Sequence, residues 1–396
     1  MRIGFLFNHD QIHQVAHSLP IALALAKGGF GGEIIVATTS DRMKREVLRM
    51  AGDAIGQGVT HVDLDLGTRS RTLSHLLEFA VPSRKLLVYG DNLDFFRSLD
   101  ILVVAEKTSL VLKSLYGLKD LKIVHTRHGA GDRAIGFNKA SAGFDHVLCS
   151  GPKIRERLIA EAGLAPERVS IVGYPKFDAP DPSVSLFPVQ NRKPVVLYNP
   201  HCSPHLSSWF QHGRQVLDFF LENDDYQLIF APHVMLFERK LVVTIDKLRI
   251  DRPGHIDERY LRAPNIHIDL GSRASTDMSY TLMADIYLGD VSSQIYEFLV
   301  RPRPCLFLNS HGVQWQDNPN YAHWRAGPVI DHPGQLAEGL KRASDKFQTT
   351  YRAVQEEMFA RSFDLHERPS SERAAEVLMR LASHKPHQTV ALGMSA

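Results

Sequence analysis

The sequence predicts an α/β protein made of two Rossmann-like domains that face each other across a cleft. Three observations carry this prediction. The chain has 396 residues, more than one hydrophobic core usually serves, so two domains are expected. Short apolar runs alternate with amphipathic stretches in both halves, the pattern of βα units around a parallel sheet. A Pro-, Ser- and Asp-rich stretch without periodicity separates the halves at 178–194. The expected division is a first domain at 1–180, a linker at 181–193, a second domain at 194–365, and helices at 366–396 that pack back on the first domain.

In the first half, residues 3–7, 33–38, 85–89, 101–105 and 122–125 read as strands, with helices at 14–27 and 109–116 between them. Pro20 marks the early turns of the first helix or a kink in it. A strand at 145–149 leads through Ser150-Gly151-Pro152 into a helix at 153–162, and a strand at 169–172 stops at Gly173-Tyr174-Pro175. The pattern restarts with strands at 194–198, 227–230, 266–268, 286–288 and 304–308 and a helix at 210–223, before a polar, helix-prone stretch at 334–383. Ligands of such sheets sit beyond the carboxyl ends of the strands, which places the function in the cleft.

Composition narrows the class. With 44% hydrophobic and 23% charged residues the chain is globular, and a net charge of +2 speaks against a nucleic-acid partner. Three widely spaced cysteines without metal-ligand spacing suit a reducing cytoplasm. The first residues form a run too short for a secretory signal, and nothing approaches the ~20 apolar residues of a membrane span. Any membrane association is therefore expected to be peripheral, on the cytoplasmic face.

The most informative segment runs Asp285-Ile-Tyr-Leu-Gly-Asp290-Val-Ser292-Ser293-Gln-Ile-Tyr-Glu297-Phe, a buried strand that ends in a polar turn and opens a helix. Ser292 and Ser293 offer hydroxyl donors, and free N–H groups at the helix start would attract a diphosphate. Glu297, one turn on, is placed to accept from ribose hydroxyls. The plainer alternative is that Asp290 or Ser292 caps the helix.

With Arg301-Pro302-Arg303-Pro304-Cys305-Leu306-Phe307-Leu308 behind it, this segment resembles the Asp-Tyr-Ser-Ser block of the CDP-glycerol glycerophosphotransferase family. Other blocks follow the family's order: His128-Gly129-Ala130-Gly131-Asp132-Arg133, Gly173-Tyr174-Pro175-Lys176-Phe177-Asp178, Val196-Leu197-Tyr198-Asn199-Pro200 and Ala231-Pro232-His233. The resemblance spans roughly residues 120–310, and the chain departs from the family pattern at Ala130, Arg133, Ala231 and Val291. It implies a glycosyltransferase-B-like (GT-B-like) architecture that moves glycerol phosphate, or a related polyol phosphate, from a CDP-linked donor to a lipid-linked or saccharide acceptor.

Carried onto this chain, the resemblance implies His128 as the general base and His233 as a contact to the donor phosphates. An imidazole on a glycine-flanked turn at a strand end suits base catalysis, because it titrates near neutrality; a structural loop histidine is the alternative. Asp290, Ser292, Ser293, Glu297, Arg273 and Asp277 are the donor-side candidates, and Asn8, His13, Arg127 and Arg133 the acceptor-side ones. No cofactor and no metal are expected. Asp63-Leu64-Asp65 sits in an apparent strand rather than on a ligand loop, His201, His205 and His212 lack metal-ligand spacing, and 27–32 follows a helix instead of preceding one. The competing readings are a nucleotide-sugar glycosyltransferase, a UDP-sugar 2-epimerase of the same fold, which would carry glycines where Ser292-Ser293 stand, and a non-catalytic nucleotide-binding scaffold.

Overall fold

The computed structural model describes residues 1–8, 12–67, 70, 83–127, 129–178, 193–238, 242–244 and 249–383. Strands β1 (Arg2–Phe7), β2 (Glu33–Thr38), β3 (Thr60–Asp63), β4 (Ile101–Val104), β5 (Lys122–Thr126), β6 (His146–Cys149) and β7 (Val169–Ile171) form a sheet in the order β3-β2-β1-β4-β5-β6-β7. Every pairing is parallel. A second sheet joins β8 (Val195–Asn199), β9 (Gln227–Phe230), β12 (Ile266–Ile268), β13 (Ile286–Gly289), β14 (Cys305–Leu308) and β15 (Val329–Ile330) in the order β12-β9-β8-β13-β14-β15, also parallel. Between β9 and β12 lies a small antiparallel hairpin of β10 (Val242–Thr244) and β11 (Arg249–Asp251).

The central strands are continuous apolar runs, Ile-Leu-Val-Val in β4 and Cys-Leu-Phe-Leu in β14, buried at every position. Such runs belong to sheets covered on both faces by helices. Each sheet accordingly carries two buried clusters. Ile3, Phe5 and Val103 of the first sheet face one way, with Leu6, Leu102 and Val104 on the other face, and the second sheet divides in the same manner.

Strand order reverses between β1 and β4 in the first sheet and between β8 and β13 in the second. These are the switch points at which doubly wound sheets open a crevice beyond the strand ends.

Two expectations are corrected. Residues 85–89 lie in the helix Ser83–Asp91, not in a strand. Four consecutive apolar residues satisfy a buried helix as well as a buried strand, and here Val88 and Tyr89 pack with Phe96 against the sheet. The neighbouring stretch expected as one helix at 109–116 is a 3-10 turn, Lys107–Leu110, followed by the short helix Val111–Ser114. The expected linker lies outside the described residues except for Lys193.

The helix Ser370–Ser383 packs along the helix Val15–Lys27, and its Ala374, Ala375, Leu378 and Ala382 complete one core of the first sheet. The turn after β7 fastens it. Asp178 accepts hydrogen bonds from the backbone N–H of Ser370 and of Ser371, at 2.9 and 2.7 Å, in the manner of an N-cap. Ser370 Oγ in turn accepts from the Tyr174 N–H at 2.9 Å. Gly173, at φ +84°, is required here, since a Cβ would come within 2.3 Å of Ser370 Oγ.

Candidate functional site

The polar turn after β13 is organised by Asp290. Its buried carboxylate accepts from the N–H of His201 at 2.9 Å, of Ser208 at 2.6 Å and of Val291 at 2.5 Å, and from Ser208 Oγ at 2.9 Å. Burial raises its pKa, and these donors pull the other way. Asp290 thus ties the end of β8 to the end of β13 and turns away from any ligand, which corrects its expected place among donor contacts. Ser292 is also turned inward, its hydroxyl 3.4 Å from the Gln294 N–H.

The helix that follows, Gln294–Phe298, has only five residues, so its dipole is a smaller attraction than a full helix would supply. Ser293 remains exposed and makes no capping bond.

Ser293 faces a cavity of about 350 Å³ at the carboxyl end of the first sheet, a volume suited to a small ligand. From the first domain Glu106, Lys107, His125, Arg127 and Arg133 line it, together with Gly129 and Gly131. The two glycines permit the approach. A Cβ on Gly131 would lie 2.9 Å from Ser293 Cβ, and one on Gly129 would lie 3.7 Å from Ser293 Oγ.

Glu106 follows β4 at the switch point, where its Oε1 accepts from Asn8 Nδ2 at 3.1 Å, from Tyr89 at 3.1 Å and from Thr108 at 2.7 Å. Asn8 is therefore buried as the support of Glu106, its Oδ1 accepting from Thr39 at 3.2 Å. Cations ring the remaining wall. Burial and the neighbouring Arg127 lower Lys107 to about 8, and burial lowers Arg127 to about 10. The Arg127 guanidinium donates to Gly136 O at 2.6 Å and lies 4.4 Å from the Phe137 ring centroid.

Three sequence blocks converge on the short helix after Ser293. Asp132, beside Arg133, is buried and accepts from Lys153 at 2.9 Å, from the Tyr296 hydroxyl at 2.6 Å and from His323 Nδ1 at 3.0 Å. Burial alone would raise this carboxyl; the His323 hydrogen bond and the Lys153 charge outweigh it and hold the group well below the usual carboxylate range. His323 Nε2 and Trp324 Nε1 then meet the Asp290 carbonyl, at 3.0 and 2.6 Å.

From the other side the Tyr174 hydroxyl donates to Glu297 at 2.9 Å, and Lys176 Nζ reaches both Glu297 oxygens at 2.7 and 2.8 Å. Glu297 is therefore buried in an ion pair between the domains, not presented to a ribose, a second correction.

His233 lies in the second domain with its ring 5.6 Å from that of His201. Burial, reinforced by the charges of Arg133 and His233, pushes His201 well below the ordinary histidine value. Its Nδ1 accepts from the Ser203 N–H at 2.9 Å, which leaves the proton of the neutral ring on Nε2. Arg133 thus reaches from the first domain toward the second-domain histidines.

Arg273 is 3.4 Å from Asp277, and Asp277 Oδ1 accepts from the Ser279 N–H and hydroxyl at 2.9 and 2.6 Å. The structure spends this pair on each other and on the start of the helix Ser279–Met283, outside the cavity lining. His128 lies outside the described residues, although its neighbours Arg127 and Gly129 both line the cavity. Of His13 only the backbone is described, in the 3-10 turn Ile12–Gln14. Among the described residues no group of three or more His, Cys, Asp or Glu is placed to hold a metal ion, and no helix is long and apolar enough to cross a membrane.

Sequence reasoning gave no site role to Glu106, Lys107, His323 or Lys176, although Lys176 sits in one of the family-like blocks, and it considered His201 only as a metal ligand.

The sequence matches no protein-family profile and no curated protein sequence. Solved structures do resemble it over nearly its whole length. The two-domain architecture is the GT-B fold. The wall teichoic acid polymerase TagF, in a crystal soaked with CDPG, superposes with a TM-score of 0.59 at 15% identity, covering 97% of this chain and 90% of that one. The UDP-GlcNAc 2-epimerase from Neisseria meningitidis, bound to UDP-GlcNAc, superposes with a TM-score of 0.57 at 13% identity, covering 96% and 99%. In this chain the cavity past β1 and β4 is lined by Arg133 of the first domain and by Ser293, from the turn after β13 of the second.

Proposed function

We propose that this chain transfers glycerol phosphate, or a related polyol phosphate, from a CDP-linked donor to the hydroxyl of a lipid-linked or saccharide acceptor. The observation that carries the reading is convergence. The blocks containing Asp132-Arg133, Tyr174-Lys176 and Asp290-Ser293-Glu297 lie far apart in sequence and meet on one short helix at the mouth of a cation-lined cavity. Support also comes from the fold neighbours, a teichoic acid polymerase soaked with CDPG and an epimerase bound to UDP-GlcNAc, whose ligands are both nucleotide-linked.

In this reading the acceptor oxygen forms a bond to the glycerol-bearing phosphorus while the bridging P–O bond breaks and CMP leaves with the electron pair. His128 takes the acceptor proton. Arg133, Lys107 and His233 meet the charge that builds on the phosphates, and the Ser293 hydroxyl donates to a phosphate oxygen. Glu106 orients the acceptor polyol. The reaction is expected to run without divalent metal, and turnover in excess chelator tests this: complete loss restored by magnesium would refute it. Membrane contact, where the acceptor is lipid-linked, would be peripheral.

The deciding experiment pairs thermal shift with product release. A ligand that binds only the folded state raises its melting temperature, so CDP should stabilise the protein more than UDP, and CDP-glycerol with acceptor should release CMP. Equal or greater stabilisation by UDP overturns the donor and favours a nucleotide sugar. Stabilisation by CDP without CMP release points to a binding protein.

A further inference from the structure

A second cavity lies outside the site described above, beside β14 and β15. It measures about 790 Å³ and takes in Asn309, Trp315, Trp324, Arg325, Asp331 and Arg342. We propose that it binds a phosphate-bearing polyol or saccharide chain, as a second station for the acceptor.

An accessible aromatic ring offers a face for the C–H surfaces of polyols and sugars, and here the half-exposed Trp315 ring stands edge-on to the buried Trp324 ring, 6.0 Å away at 66°. Arg325 and Arg342 are exposed on the same cavity, and neither guanidinium is paired with a carboxylate among the described residues. Guanidiniums without a carboxylate partner suit phosphodiester oxygens, and Arg342 is steadied beside the cavity by its bond to the Val329 carbonyl at 3.4 Å. The carboxylate on this wall, Asp331, is engaged by Asn309 Nδ2 at 3.1 Å.

The cavity also touches the nucleotide turn. Trp324, itself buried, belongs to its wall, and its Nε1 donates to the Asp290 carbonyl at 2.6 Å. A chain lying in the cavity therefore rests against the side chain that holds the turn before Ser293. The ligand class rests on the transfer reading above; the cavity and its arginines do not.

Tryptophan emission reads this site, since the chain has three tryptophans and Trp209 and Trp324 are buried while Trp315 is half-exposed. The probes are a short glycerol phosphate oligomer, an uncharged dextran of matched length and inorganic phosphate. The oligomer should quench emission saturably, Trp315→Phe should abolish the signal, and Arg325→Ala with Arg342→Ala should weaken binding at least tenfold while leaving the CDP melting shift unchanged. No saturable quenching, or equal affinity for dextran or for phosphate alone, overturns the proposal. Oligomer binding in a protein that CDP does not stabilise would sink the donor assignment and leave this site standing; a CDP shift without oligomer binding does the reverse.

Discussion

Lys176 and Glu297 form a two-pronged ion pair at 2.7 and 2.8 Å, one residue from the turn after β7 and the other from the helix after β13. Both side chains are nearly buried. The pair therefore fixes the short helix below Ser293 relative to the first domain, and what looks in sequence like a ligand contact is part of the clamp between domains.

Removing one member leaves the other as an unpaired buried charge, so Lys176→Ala or Glu297→Gln should cost about 3–5 kcal/mol of stability. The double replacement Lys176→Met/Glu297→Met should recover most of that loss. Urea unfolding midpoints read both, and single variants within about 1 kcal/mol of wild type would show that the pair does not clamp the domains.

Asp132 makes the clamp pH-dependent at the acid end. Its carboxyl is depressed in the fold, so its stabilisation is complete above the unfolded value of about 4 and is lost as pH falls below it toward the folded value. The stability difference between wild type and Asp132→Asn should stay level from neutral pH to about 5 and shrink below about 4. A difference that holds level through acid unfolding would contradict this.

Gly131 and Gly129 separate contact from composition. A methyl on Gly131 would meet Ser293 Cβ at 2.9 Å, whereas on Gly129 the approach is an ordinary 3.7 Å. Gly131→Ala should therefore lower turnover by roughly a hundredfold, as expected when reacting groups are misplaced by an ångström, with Gly129→Ala far milder. Equal losses would mean that the Ser293 approach is not what the glycine protects.

Binding and chemistry should come apart at His128 and fall together at His233. His128→Ala should keep the CDP melting shift and lower turnover by roughly a hundredfold or more, with loss of the rising limb near neutral pH. His233→Ala should weaken both properties. Wild-type turnover with an unchanged pH profile in His128→Ala would make that residue structural.

The second sheet was legible because its strands are buried runs bounded by Pro, Asn and Gly, and the structure places β8, β9, β12, β13 and β14 within a residue of where the runs fall. The hairpin of β10 and β11, three residues each, carries too little pattern to read. At the site, Ser293 and Arg133 stood out because they sit in blocks with local character. Lys176 and Glu297 are separated by 121 residues, and Asp132 and His323 by 191. A partner so distant leaves no mark near the residue it engages. Glu106 is one of 44 acidic residues, and only the switch point of the sheet distinguishes it from a surface charge.

The fastening of Ser370–Ser383 to the turn after β7 sets an order of assembly. A ribosome delivers β1 to β7 and the helix Val15–Lys27 long before the helix that covers them, so Val15, Leu19 and Ala22 wait with an open apolar slot while the second sheet emerges. The cluster built by Tyr198, Trp209, Leu228, Phe230 and Leu340 draws on that later segment alone and closes without help from the first. The core of the half made first is thus closed by nearly the last described residues of the chain.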